Sequence, residues 1–217
     1  MIPRFKLCVF DWDGTMMDTT DAIVQSIRTA SQILGLTPPT EAKTKRAIGL
    51  GRVDTMKFLL PDCPKERWSE FETVYRSHYL EFEKEIPLID GMRELILKLR
   101  KAGVKTALAT GKSERGVNRV LSAHNLKGYF DAIRVGAVIN PKPAPGMLLE
   151  ICEELCISQA DTVMIGDSTL DLQMASNAGT SGIGVTFGAC TETELNAFPN
   201  VGLAEDAHGL ERLLFSD

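Results

Sequence analysis

Apolar and polar positions along this chain fall into two rhythms: short unbroken apolar runs, and longer stripes spaced three and four apart. Leu7-Cys8-Val9-Phe10, with Phe5 and Lys6 leading into it, is the first run and reads as a strand buried on both faces. Val104 to Ala109, residues 132–135, Thr162-Val163-Met164-Ile165 and Gly182-Ile183-Gly184-Val185 read the same way. The stripes predict helices between the runs. Ile23, Ile27, Ala30 and Leu34 mark one over 18–34, which Asp18 or Thr19 can cap and Gly35 stops. Leu95, Ile96 and Leu99 mark another that Gly103 ends, and further helices are expected over 113–124, 144–156 opened by Pro145, 169–178 and 206–215.

After the Pro38-Pro39 pair, helices over 40–48, 51–60 and 64–84 follow one another with no strand pattern among them. In the last, Trp68, Phe71, Tyr75, His78, Tyr79 and Phe82 recur at helical spacing and read as packing. A helical block set between one strand and the next strand–helix unit predicts an inserted cap, residues 17–86, on a core built from 1–16 and 87–217. Alternation of strand and helix on either side predicts an α/β core: a Rossmann-like, mostly parallel sheet with right-handed crossovers and helices on both faces.

Composition narrows the picture. Of 217 residues, 44% are hydrophobic and 24% charged, which disfavours disorder and a coiled coil. The formal net charge of −5 argues against a nucleic-acid surface but leaves room for phosphate bound by local lysines and backbone amides. The first apolar stretch breaks off at Asp11, before a signal-peptide core or a spanning helix could form, which predicts a cytoplasmic protein with no membrane partner. Five cysteines, odd in number and scattered, predict free thiols. Cys152 and Cys156 share a helix face, but no His or second Cys pair lies near them to complete a zinc site.

The candidate chemistry sits where the runs end. Asp11-Trp12-Asp13-Gly14-Thr15 follows the first strand directly, at the end where open α/β sheets bind ligands. Two partly desolvated acids there are costly unless a cation or a reaction employs them. The other strand ends bring Thr110-Gly111-Lys112-Ser113, a Lys142 held between two prolines, and Gly166-Asp167-Ser168-Thr169-Leu170-Asp171. Each cluster alone has a plain reading as a turn or a helix cap. Together they balance for phosphoryl transfer, with acids for Mg²⁺ and with Lys142, Thr110 and the amides near Gly111 and Lys112 for phosphoryl oxygens. Asp11 can then attack phosphorus, while Asp13 protonates the leaving oxygen and later deprotonates water.

These same segments resemble the four motifs of the haloacid dehalogenase-like hydrolase superfamily, and the insert resembles the helical cap of its phosphoglycolate phosphatase and β-phosphoglucomutase branch. The resemblance implies that Asp11 is nucleophile and metal ligand, that Asp13 is acid/base and lends its carbonyl to the metal, and that Asp167 is a metal ligand. It further implies that Asp171 supports the metal site and Lys142. Arg46-Ala47-Ile48-Gly49-Leu50-Gly51 resembles the cap's substrate-specificity loop, making Arg46 a candidate for a substrate anion; a basic helix end with a glycine stop explains it equally well. The implied activity is hydrolysis of a small phosphorylated metabolite by a monomer or homodimer. A phosphomutase and a catalytically silent phosphate-binding module are the alternatives.

Overall fold

The structure is a computed structural model that describes residues 2–136 and 140–216. In chain order, β1 (Ile2–Pro3) and β2 (Leu7–Phe10) precede four helices, α1 (Thr20–Ile33), α2 (Glu41–Lys45), α3 (Arg52–Leu59) and α4 (Trp68–Glu83). There follow α5 (Met92–Lys101), β3 (Lys105–Thr110), α6 (Glu114–Ala123), β4 (Ala132–Val135), α7 (Gly146–Leu155), β5 (Thr162–Gly166) and α8 (Thr169–Ala178). β6 (Ser181–Val185), α9 (Glu192–Asn196), β7 (Leu203–Ala204), α10 (Ala207–Leu214) and β8 (Phe215–Ser216) complete the chain.

Six strands form one sheet in the order β4-β3-β2-β5-β6-β7, parallel throughout, while β1 and β8 pair separately and antiparallel. Alternate side chains along β2 explain why its whole run is apolar. Cys8 and Phe10 join Met92, Ile96, Leu99, Val120 and Leu210 on one face, and Leu7 and Val9 join Leu148, Ile151 and Met174 on the other. Helices therefore cover both faces. From β2 the chain steps outward to β3 and β4, then returns across β2 to β5, so the order reverses between β2 and β5. A crevice opens at the carboxyl ends of two such strands.

The helices α1 to α4 pack on one another around Ile23, Ile27, Ala30, Met56, Leu59, Phe71 and Tyr79, a cluster separate from the two beside the sheet. No helix among the described residues is long and apolar enough to cross a membrane. The strand expected over 104–109 lies one residue later, because the Val104 amide still closes α5 by donating to the Leu99 carbonyl at 3.0 Å. The last helix likewise ends at Leu214 and Phe215 enters β8. The five cysteines are free.

Ile165 is wholly buried in central β5, whereas Ile33 at the end of α1 is 57% exposed. Ile165→Ala is expected to lower unfolding free energy by about 2–5 kcal/mol. Ile33→Ala should change it by less than about 0.5 kcal/mol. Urea unfolding followed by circular dichroism checks the contrast, and equal effects would contradict this placement of the core.

Candidate active site

Strand register brings the predicted residues together. Phe10 lies opposite Leu108 on one side and Ile165 on the other. The next residue, Asp11, donates its amide to the Ile165 carbonyl at 2.9 Å, so it leaves the sheet beside the end of β5. Asp167 follows β5 directly. Oxygens of Asp11, Asp167 and Asp171 come within 4.8 Å of one another, and all three side chains are buried.

Lys142 is the cation of this group. Its ammonium lies 2.9 Å from Asp11 Oδ2 and 2.6 Å from Asp171 Oδ1, with none of the side chain exposed. Asp171 also accepts from the Ser168 hydroxyl at 2.6 Å and the Ser168 amide at 3.2 Å, which fixes it at the start of α8. Asp167 accepts from the Thr15 hydroxyl at 3.2 Å and the Ala189 amide at 2.7 Å. A Cβ on Gly14 would sit 2.2 Å from Asp167 Oδ2, and one on Gly188 would sit 2.3 Å from the same atom. Both glycines are thus required by close approach.

Three buried carboxylates crowd around one ammonium, an excess of negative charge. Burial pushes Asp11 up to about 6, against the attraction of Lys142, with Asp171 and Asp13 adding repulsion. Asp167 is pushed up to about 8 by burial, then by the charges of Asp171 and Asp11. Burial alone would lower Lys142, but Asp11 and Asp171 outweigh it and hold the ammonium above its ordinary range. An excess of buried carboxylate oxygen with no sulfur or imidazole in the set fits a hard divalent cation such as Mg²⁺.

Asp13 is not part of this cluster and has other partners. Its Oδ1 is 2.9 Å from Lys112 Nζ and 3.4 Å from the Tyr79 hydroxyl. Lys112 also meets the Tyr79 oxygen at 3.0 Å and Glu83 Oε1 at 3.4 Å. Thr110 closes β3 as a buried residue, and its hydroxyl accepts from the Lys112 amide at 3.3 Å. The loop before α3 covers this edge: a Cβ on Gly111 would lie 3.2 Å from the Gly49 carbonyl oxygen, and one on Gly51 would lie 2.9 Å from Pro141 Cβ. Arg46 is not among these contacts. Its side chain is 67% exposed, and its described polar contacts are with Glu194, at 3.0 Å.

Sequence reasoning did not single out Tyr79, Glu83, Ser168 or the Ala189 amide for this site. Tyr79 does pack with the helices as expected, and its hydroxyl extends beyond them to Asp13. Only Ser168 carried a legible signal, a serine three residues before an acid at a helix start.

Comparison with known proteins gives the family. A family model described as haloacid dehalogenase-like hydrolase matches residues 8–185. The chain is 33% identical over 198 residues to "Probable phosphatase IndB" of Dickeya dadantii, covering 88% of this chain and 85% of that one. It is 27% identical to a phosphoglycolate phosphatase of Vibrio vulnificus, with 85% of each chain covered. The crystal structure of "Putative haloacid dehalogenase-like hydrolase from Bacteroides fragilis" superposes with a TM-score of 0.86 at 26% identity, covering 95% of this chain and 99% of that one. The family model and the similar phosphatase thus define a hydrolase. The chain belongs to the haloacid dehalogenase-like hydrolase family, in its phosphoglycolate phosphatase-like branch.

The pKa directions give a stability prediction for metal-free protein. Asp167 binds its proton more tightly folded than unfolded, so the folded state loses stability as pH rises from about 4 to about 8. Asp167→Asn removes that titration. Thermal melts of metal-free protein should show the variant gaining on the wild type as pH rises through this window, and a gap that does not change with pH would contradict the assignment.

Proposed function

We propose that this chain is a Mg²⁺-dependent phosphatase of a small soluble phosphomonoester, acting through an aspartyl-phosphate on Asp11. The observation that carries the reading is the buried group of Asp11, Asp167 and Asp171 around Lys142 at the sheet's reversal point. Residues 17–86 serve as the cap on a core of 1–16 and 87–217, a division supported by the separate helical cluster and by the Gly49 and Gly51 contacts.

Asp11 is the nucleophile. Its carboxyl, near 6, is largely ionised at neutral pH, and Lys142 fixes one of its oxygens. An Asp11 oxygen forms a bond to phosphorus as the ester oxygen departs, and Asp13 gives that oxygen its proton. Asp13 then takes a proton from water as the water attacks the phosphorus of the acyl-phosphate, which returns the Asp11 carboxylate and releases inorganic phosphate. Thr110 and the Gly111 amide receive phosphoryl oxygens at the end of β3. Asp11, Asp167 and the Asp13 carbonyl would hold Mg²⁺, with Asp171 in support. The ion would supply positive charge opposite the transferring group. Arg46 is assigned no step in this scheme; its exposed guanidinium pairs with Glu194 in the structure.

A phosphatase is preferred to a phosphomutase because the similar chains from Dickeya and Vibrio carry phosphatase names. Phosphate release from p-nitrophenyl phosphate is expected to need Mg²⁺, to stop with EDTA, and to be poorly restored by Ca²⁺, whose coordination is larger and looser. Full activity in EDTA would overturn the metal assignment. Asp13→Asn should slow turnover of an alkyl phosphate by roughly 10²–10⁴-fold. Steady-state rates measure it, and an unchanged rate would remove Asp13 from the proton transfers.

A further inference from the structure

Three segments of the chain meet at one ammonium on the Asp13 side of the site. Lys112, from the loop after β3, places Nζ 2.9 Å and 3.3 Å from the two Asp13 oxygens, 3.0 Å from the Tyr79 hydroxyl and 3.4 Å from Glu83 Oε1. The same ammonium stands 4.9 Å from the centre of the Tyr79 ring. Its side chain is 8% exposed and that of Glu83 is 5% exposed. Tyr79 and Glu83 are one turn apart on α4. Arg119 of α6 donates to the other Glu83 oxygen, so Glu83 is gripped from the core on both sides. Glu83 Oε1 has no hydrogen-bond partner among the described residues and meets Lys112 only as an ion pair.

This geometry commits Lys112. Two of its neighbours, Asp13 and Glu83, are carboxylates, and a desolvated ammonium is held by both. Tyr79 closes a triangle, accepting from Lys112 and offering its proton to Asp13 Oδ1 at 3.4 Å. The Asp13 carboxylate is therefore oriented by two donors, one of them on α4 and the other anchored to α4 through Glu83. A general acid must stand within hydrogen-bond reach of the oxygen it protonates.

We propose that Lys112 is a positioning residue for proton transfer: it aims the Asp13 carboxyl group, which carries the proton to be given, at the leaving oxygen, and does so only while α4 is seated on the core so that Glu83 and Tyr79 hold its ammonium. The inference rests on reading Asp13 as the acid/base. It ties that step to the seating of α4, because lifting α4 would withdraw Glu83 and Tyr79 together.

The test compares two leaving groups. p-Nitrophenolate departs without a proton, whereas the alkoxide of glycerol 2-phosphate needs one. Lys112→Met is expected to lower kcat on glycerol 2-phosphate by about 10–100-fold with KM within about threefold, the cost of a misplaced group at a reacting centre. In stopped flow, its first-turnover burst of p-nitrophenolate should stay within a few-fold of wild type. Glu83→Gln should show a smaller loss of the same kind, and Lys112→Arg should recover part of it. An equal loss on both substrates with raised KM would assign Lys112 to the phosphoryl group and overturn the proposal, as would an unimpaired Lys112→Met. Asp13→Asn run alongside separates the two readings. If it is impaired while Lys112→Met is not, this inference alone fails; if it shows no leaving-group dependence, the acid/base reading fails with it.

Discussion

The structure depends on one buried ammonium. Lys142 sits with no side-chain exposure between Asp11 and Asp171, and without it Asp11, Asp167 and Asp171 would be three desolvated acids with no ammonium paired to them among the described residues. Breaking a buried pair by removing one partner typically costs about 3–5 kcal/mol, because the other charge stays behind. Lys142 does not complete the balance. Asp11 and Asp167 remain shifted upward beside it, and that residual charge is what a divalent cation would neutralise.

The sheet exists, in this view, to make that concentration of charge tolerable. Phe10, Ile165 and Leu108 stand side by side in the central strands and are wholly buried, so the residues that follow them emerge together at one edge. Backbone amides and hydroxyls then finish what the ion pairs begin. Thr15, Ala189 and Ser168 donate to Asp167 and Asp171, and Gly14 and Gly188 leave room for Asp167 where a Cβ would strike it. Polar groups buried this tightly need every partner supplied.

Much of this was legible in the sequence, for identifiable reasons. Unbroken apolar runs such as Leu7-Cys8-Val9-Phe10 belong to strands covered on both faces, and motifs placed immediately after them inherit a common edge. Two-residue strands such as Leu203–Ala204 have no period to read. The helix Glu192–Asn196 did carry a signal, Thr191 and Glu194 in a capping box, but it is too short for a stripe. Contacts between segments were the least visible. Tyr79 reads as one more member of an aromatic stripe, and its hydroxyl reaches Asp13 only because α4 lies against the core. Lys112 was legible as a basic residue beside the site, but its pairing with Glu83 joins positions 29 residues apart that no local pattern connects.

The central claim is that Asp11, held by Lys142, forms a covalent bond to phosphorus. Acid quench during turnover with Mg²⁺ and substrate, followed by peptide mapping by mass spectrometry, tests it most directly. One added phosphoryl group, labile to hydroxylamine, is expected on the peptide that contains Asp11, and none in Asp11→Asn. A phosphoryl group mapped to another residue, or retained by Asp11→Asn, would contradict it.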